Sequence, residues 1–171
     1  MSPLVLALSI VGASVILEII VSWRWTPSYF RFGIPIFIRR IERAGGVAGV
    51  SIEPLEKSSR TATGPPFAFR QLGPDLIAFR ERGFNGYVPL MRGAIMARVE
   101  EPFVVVAGLV NWSAIVVAIV LIAFLRRGVA DVAPYFLGAL AILYLIQGVR
   151  FYRVASALRG PAHAEEKVAG A

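Results

Sequence analysis

The feature that most limits how this chain can fold is the segregation of its apolar and charged residues. Apolar side chains collect in three blocks, near 3–21, 103–125 and 132–149, while the charged ones, Glu18 apart, lie between and after them. Overall 57% of the 171 residues are hydrophobic and 17% are charged, against about 45–50% and about 25% in soluble domains. A bilayer selects such a distribution. The chain is therefore predicted to be an α+β membrane protein, with three transmembrane helices (an N-terminal anchor and a C-terminal helical hairpin) and a small antiparallel β module between helices 1 and 2.

The first block, PLVLALSIVGASVILEIIV, is long enough to cross a hydrocarbon core of about 30 Å at about 1.5 Å per residue. A cleaved signal peptide is the competing reading. Its leading residues carry no Lys or Arg, its apolar run is long for a signal, and Trp23 and Trp25 follow as an interfacial belt. A retained anchor over residues 1–23 is expected.

The second block permits two forms. In the preferred one a single span covers 107–127. In the other, Phe103–Val110 is a last strand, Asn111 caps a helix, and the span opens at Trp112, since Val104-Val105-Val106 favours a strand. The third block, 131–150, has Pro134 in its first turn, where a missing N–H costs little, and is expected to end at Arg150 and Arg153. Residues 151–171 form a tail, flexible from Gly160 unless bound.

Charge counting orients this plan. Twelve of the eighteen Lys and Arg lie between Trp23 and Pro102 and four lie from Arg150 onward, leaving only Arg126 and Arg127 in the hairpin tip. The positive-inside rule puts the central module and C-terminus in the cytoplasm and the N-terminus outside, in a bacterial-type inner membrane.

Between the first two spans, residues 24–46 are expected to form an amphipathic strip along the headgroups. Phe30, Phe32, Ile36 and Phe37 would dip in, and Arg31, Arg39, Arg40 and Arg43 would face phosphates beside Trp23 and Trp25. A short helix packed on the module's own core is the alternative. From 47 to 106, VAGVSIE, FAFRQL, DLIAFRER and YVPLMRGAIMARVE read as strands, with Lys57–Pro66 as a mobile loop.

Chemistry-bearing patterns are scarce. The chain has no cysteine and one histidine, His163, in the tail, which removes thiolate chemistry and disfavours imidazole ligation of a pigment or haem. RAGGVAGV lacks the Lys-Ser/Thr of a phosphate loop, and no G-x-S-x-G occurs. No catalytic residue, cofactor, metal or nucleic-acid partner is therefore expected. The informative residues are polar ones inside apolar blocks: Glu18, Asn111 and Gln147, with Ser113, expected to bond between helices or, for Glu18, to Arg24 or Arg150. The function these features point to is an accessory or scaffold subunit among other integral membrane subunits, with respiratory or photosynthetic assemblies among the hosts. The alternatives are a cytoplasmic-face adaptor for anionic lipid or a soluble partner, and an oligomeric channel around Glu18 and Asn111.

Overall fold

A computed structural model describes residues 2–42, 46–60, 65–82, 91–97, 102–125 and 133–159. It is an α+β fold: α1 (Pro3–Trp23), α2 (Pro27–Arg31), β1 (Pro35–Glu42), α3 (Ile52–Arg60), β2 (Phe67–Gly73), β3 (Leu76–Glu81), β4 (Met91–Ala97), β5 (Phe103–Val110), α4 (Trp112–Leu125) and α5 (Ala133–Leu158). By length and composition α1 is, among the described residues, the helix able to cross a membrane.

Local chemistry accounts for the ends of α1. The Ser2 hydroxyl accepts from the Val5 N–H at 3.3 Å, and Pro3 sits in the first turn, where a helix has no use for its missing N–H. The helix stops at Trp25, which takes a left-handed backbone (φ 54°). That conformation costs an L-residue about 1–2 kcal/mol. The Trp25 ring recovers some of this by stacking on Phe30 (centroids 5.4 Å) under the guanidinium of Arg80 (4.8 Å).

The sheet has the order β1-β5-β4-β3-β2, antiparallel throughout. Strands β2 to β5 form a meander, and β1 joins from a distance to pair with β5, Ile41 opposite Val104 and Phe37 opposite Gly108. Thus 35–42, expected on the headgroups, is the edge strand of the sheet. Phe30 is fully buried, and the half-buried Phe37 packs edge-on to Phe151 (6.2 Å). The run is β-branched and alternates in burial, which suits a pleated edge better than a surface helix.

One face of the sheet is covered by α3 and the C-terminal half of α5. Phe67, Phe69, Phe79 and Phe151 stack there over a two-glycine hollow made by the cross-strand pair Gly93 and Gly108. A Cβ at Gly93 would lie 2.1–2.4 Å from the Phe79 ring, and that ring is held by three other aromatics. Gly93→Ala should therefore destabilise by about 2–3 kcal/mol, as overpacking does; chemical denaturation of the purified chain measures it. The other face carries α2, with Tyr29 and Phe30 against Ala78.

Three further boundaries differ from expectation. VAGVSIE is not a strand: Val47 and Val50 are buried in an irregular turn, and Ile52–Arg60 is a helix that lays Ile52, Leu55 and Ser59 on one face. Lys57–Arg60 consequently belongs to a helix, while 61–64 and the tail from 160 lie outside the described residues. The preferred helix at 107–127 is replaced by the alternative, a strand to Val110 and a helix from Trp112, because Ala107–Val110 complete ladders to β1 and β4. Finally, α5 does not stop at Arg150. Phe151, Val154, Ala155 and Leu158 repeat at helical spacing and bury against the sheet.

Candidate functional site

The polar residues of the helices meet the sheet at two buried joints. The first is built around Glu18. Being the one acid in α1, its carboxylate must find donors or leave the apolar surroundings. It lies only 6% exposed, against the start of α4, where the first N–H groups have no partner within their own helix. Trp112 N–H donates to Oε1 at 2.7 Å and Ser113 N–H to Oε2 at 2.9 Å. The Ser113 hydroxyl also donates to Oε2, and the Tyr29 hydroxyl donates to Oε1 at 2.5 Å. Glu18 thus caps α4 from a different helix, matching its negative charge to the positive end of the helix dipole. Asn111 occupies the usual cap position, and its backbone carbonyl accepts from Ala114 at 3.1 Å, but its side chain faces Tyr29, with Oδ1 3.5 Å from the hydroxyl.

Arg92 completes this joint. Strand β4 carries it on the α2 face, where it is 1% exposed. Nε donates to the Tyr29 carbonyl at 2.6 Å, Nη2 to the Phe32 carbonyl at 2.7 Å, and Nη1 to the Val110 carbonyl. Nη1 is also 3.9 Å from Glu18 Oε1, and the guanidinium lies over the Tyr29 ring at 4.1 Å. One fork of donors therefore ties α2, the lead into β1 and the end of β5 to the α1–α4 contact. Gly33 leaves room for it, since a Cβ there would sit 2.6 Å from Nη2. Burial pulls the Arg92 guanidinium below its usual pKa, opposed by the Tyr29 and Glu18 groups around it.

Burial first, then the charge and hydrogen bond of Glu18, push the Tyr29 phenol well above its ordinary value of 10.0. A group raised in the folded state contributes stability that is complete below its unfolded pKa and is lost as pH rises through the folded one. Absorbance titration in base should show a tyrosine that ionises only with unfolding. In Tyr29→Phe the late component should lose the amplitude of one tyrosine; an unchanged amplitude would assign it to another tyrosine.

The second joint fastens α5. Arg150, 3% exposed, donates from Nη1 to Glu81 Oε1 and from Nη2 to the Pro65 carbonyl, with its plane 4.6 Å from the centre of the Phe67 ring. Glu18 therefore pairs with neither Arg24 nor Arg150. The guanidinium that reaches it is Arg92, and Arg150 is taken by Glu81. Gln147, one turn before Arg150, is buried, and its Oε1 has no hydrogen-bond partner among the described residues.

The described residues among those expected at the headgroups lie at the end of α1, on α2 and on β1. Arg31 is bonded to Asp75 at 2.6 Å on the surface, Arg39 lies over the Tyr152 ring at 4.6 Å and Arg40 over Phe103 at 5.3 Å. Trp23 is exposed, Trp25 is half-buried, and Arg43 lies outside the described residues. Sequence reasoning missed Tyr29 and Arg92. A usable signal existed for Arg92: it follows Met91 in a strand whose other residues are small or apolar, and a buried Glu18 requires a cation somewhere. Among the described residues no three His, Asp or Glu side chains converge as metal ligands would.

Chemically the first joint is a filled site. Each Glu18 oxygen accepts two donors, and each guanidinium nitrogen of Arg92 has a carbonyl, so the cluster suits holding elements in register more than activating a substrate. Compared with protein-family models, with curated proteins and with solved structures, the chain matches none.

Proposed function

We propose that this chain is a non-catalytic integral membrane subunit, a scaffold that holds a small sheet rigidly at the cytoplasmic face of an inner membrane within a larger complex. The observation that carries this reading is the capping of α4 by Glu18 of α1. It makes the helix pair and the sheet one polar-locked unit, and it occupies the acid that a transporter or enzyme would need free. The cap also supports a retained anchor over a cleaved signal, because cleavage after α1 would strip α4 of its cap.

In this reading α4 and the first half of α5 are the second and third spans. Their outward residues, among them Ile119, Ile122, Ile142, Leu145 and Ile146, are exposed and apolar, which suits contact with lipid or with helices of partner subunits. Sixteen of eighteen basic residues on one side support the cytoplasmic orientation.

Purification of the tagged chain in mild detergent, with identification of what accompanies it and the intact mass of the chain, tests the proposal. Stoichiometric recovery of unrelated membrane proteins with an uncleaved chain is the expected result. A chain that is always recovered alone, or that begins after Trp23, would overturn it.

A further inference from the structure

We propose that the β1 edge of the sheet is sunk into the bilayer interface, so that Phe32, Ile34, Ile36 and Ile38 contact lipid while Arg39 and Arg40 reach the phosphate layer. This rests on the reading of α1 and α4 as membrane spans and deepens it, by assigning a lipid-binding surface to the module itself.

The first ground is length. Helix α4 has 14 residues, about 21 Å at 1.5 Å per residue, and Arg126-Arg127 follow it directly in the sequence. A hydrocarbon core is about 30 Å thick. If the membrane boundary lay at the Glu18–Trp112 joint, α4 would fall short by about 9 Å, and tilting would only increase the deficit. Over the described residues of α4, a boundary that rises past the joint onto the module removes this deficit.

The second ground is what lies just past the joint. Val110 N–H donates to the Ile34 carbonyl at 2.9 Å, so Ile34 sits level with the start of α4, and β1 runs from there away from the spans. Phe32, Ile34, Ile36 and Ile38 are 65%, 57%, 52% and 59% exposed. At about 3.3 Å per residue, Ile34 to Ile38 extends about 13 Å, enough to cover the deficit. Ile20 and Trp23 near the end of α1, and Val149 and Tyr152 of α5, are exposed as well.

The third ground is where charge begins. Isoleucine gives way to Arg39 and Arg40 at the position along β1 where the strand would leave the hydrocarbon, and Arg39 lies over the Tyr152 ring, an aromatic suited to the interface. An apolar edge strand open to water invites pairing with other chains; immersion in the interface removes that exposure. Lipid explains the order of apolar then cationic residues along the strand, which a protein partner would not require.

The natural absence of cysteine makes the test direct. Single cysteines at Leu8, Ile34, Ile36, Ile38, Arg40 and Glu53 in the full chain would carry nitroxide labels in phosphatidylcholine–phosphatidylglycerol vesicles. Oxygen and a water-soluble nickel chelate then report depth. Expected are an oxygen-rich value at Leu8, values nearer to Leu8 than to Glu53 at Ile34 and Ile36, and a transition between Ile38 and Arg40. If Leu8 is in lipid while Ile34 and Ile36 match Glu53, the immersed edge is wrong and the spanning reading survives. If Leu8 itself matches Glu53, the spanning reading fails and takes this proposal with it. Strong label–label broadening at Ile36, with exclusion of both reagents, would assign the edge to a second copy of the chain and likewise overturn the proposal.

Discussion

Glu18→Ala is expected to destabilise the chain by about 3–5 kcal/mol, the range for removing one partner from a buried charged network. Four donors lose their acceptor together: two backbone N–H groups of α4 and the hydroxyls of Tyr29 and Ser113. None of these can turn to water without opening the contact between α1 and α4. Glu18→Gln should lose less, because one oxygen remains, yet its new N–H₂ would point at groups that are themselves donors. Thermal unfolding in micelles, read by tryptophan fluorescence, is suitable because Trp112 packs edge-on to Tyr29 at 5.0 Å. A double-mutant cycle with Tyr29→Phe should give a coupling of about 1–3 kcal/mol. Wild-type stability in Glu18→Ala would show that the cap is not needed and would remove the main support for a scaffold.

Arg150→Met is the second large effect expected, again about 3–5 kcal/mol, since Glu81 would keep its burial and lose its guanidinium. The diagnostic variant is the pair Glu81→Leu with Arg150→Met. Replacing both charges of a buried pair by apolar groups of similar volume is often neutral or better, so the double variant should recover most of the loss. Helix α5 would then stay on the sheet through Phe151, Val154, Ala155 and Leu158. If the double variant is as unstable as the single one, the pair contributes through the Pro65 carbonyl and the Phe67 ring rather than through charge.

These two joints also mark how far the sequence could be read. The apolar run of α1 and the strand patterns of β2 to β4 were legible, because period and composition act within a few residues. The start of α4 was legible as one of two options: Asn111-Trp112 carried a cap signal, and Val104-Val105-Val106 a strand signal. What decided between them was pairing of Ala107–Val110 with β1, about seventy residues earlier, and with β4. Local preference cannot report such a contact. The same holds for 35–42: its arginines and isoleucines suit the membrane interface, and only the pairing with β5 shows that the segment is also the edge of the sheet. VAGVSIE misled for a different reason. Its valines are buried, but by a turn leading into α3, and a short apolar run does not reveal its own conformation.

By itself, then, the sequence determined the segregation of apolar blocks from charge, the α+β class, and the few polar residues that had to be accounted for, because each follows from the chemistry of neighbouring side chains. Only the tertiary structure decided where those polar residues are satisfied. Glu18 meets the N-terminus of a helix 94 residues away and Arg150 meets Glu81 at a separation of 69. The need for a partner is written in a single buried charge, but the choice of partner depends on which surfaces the fold brings together.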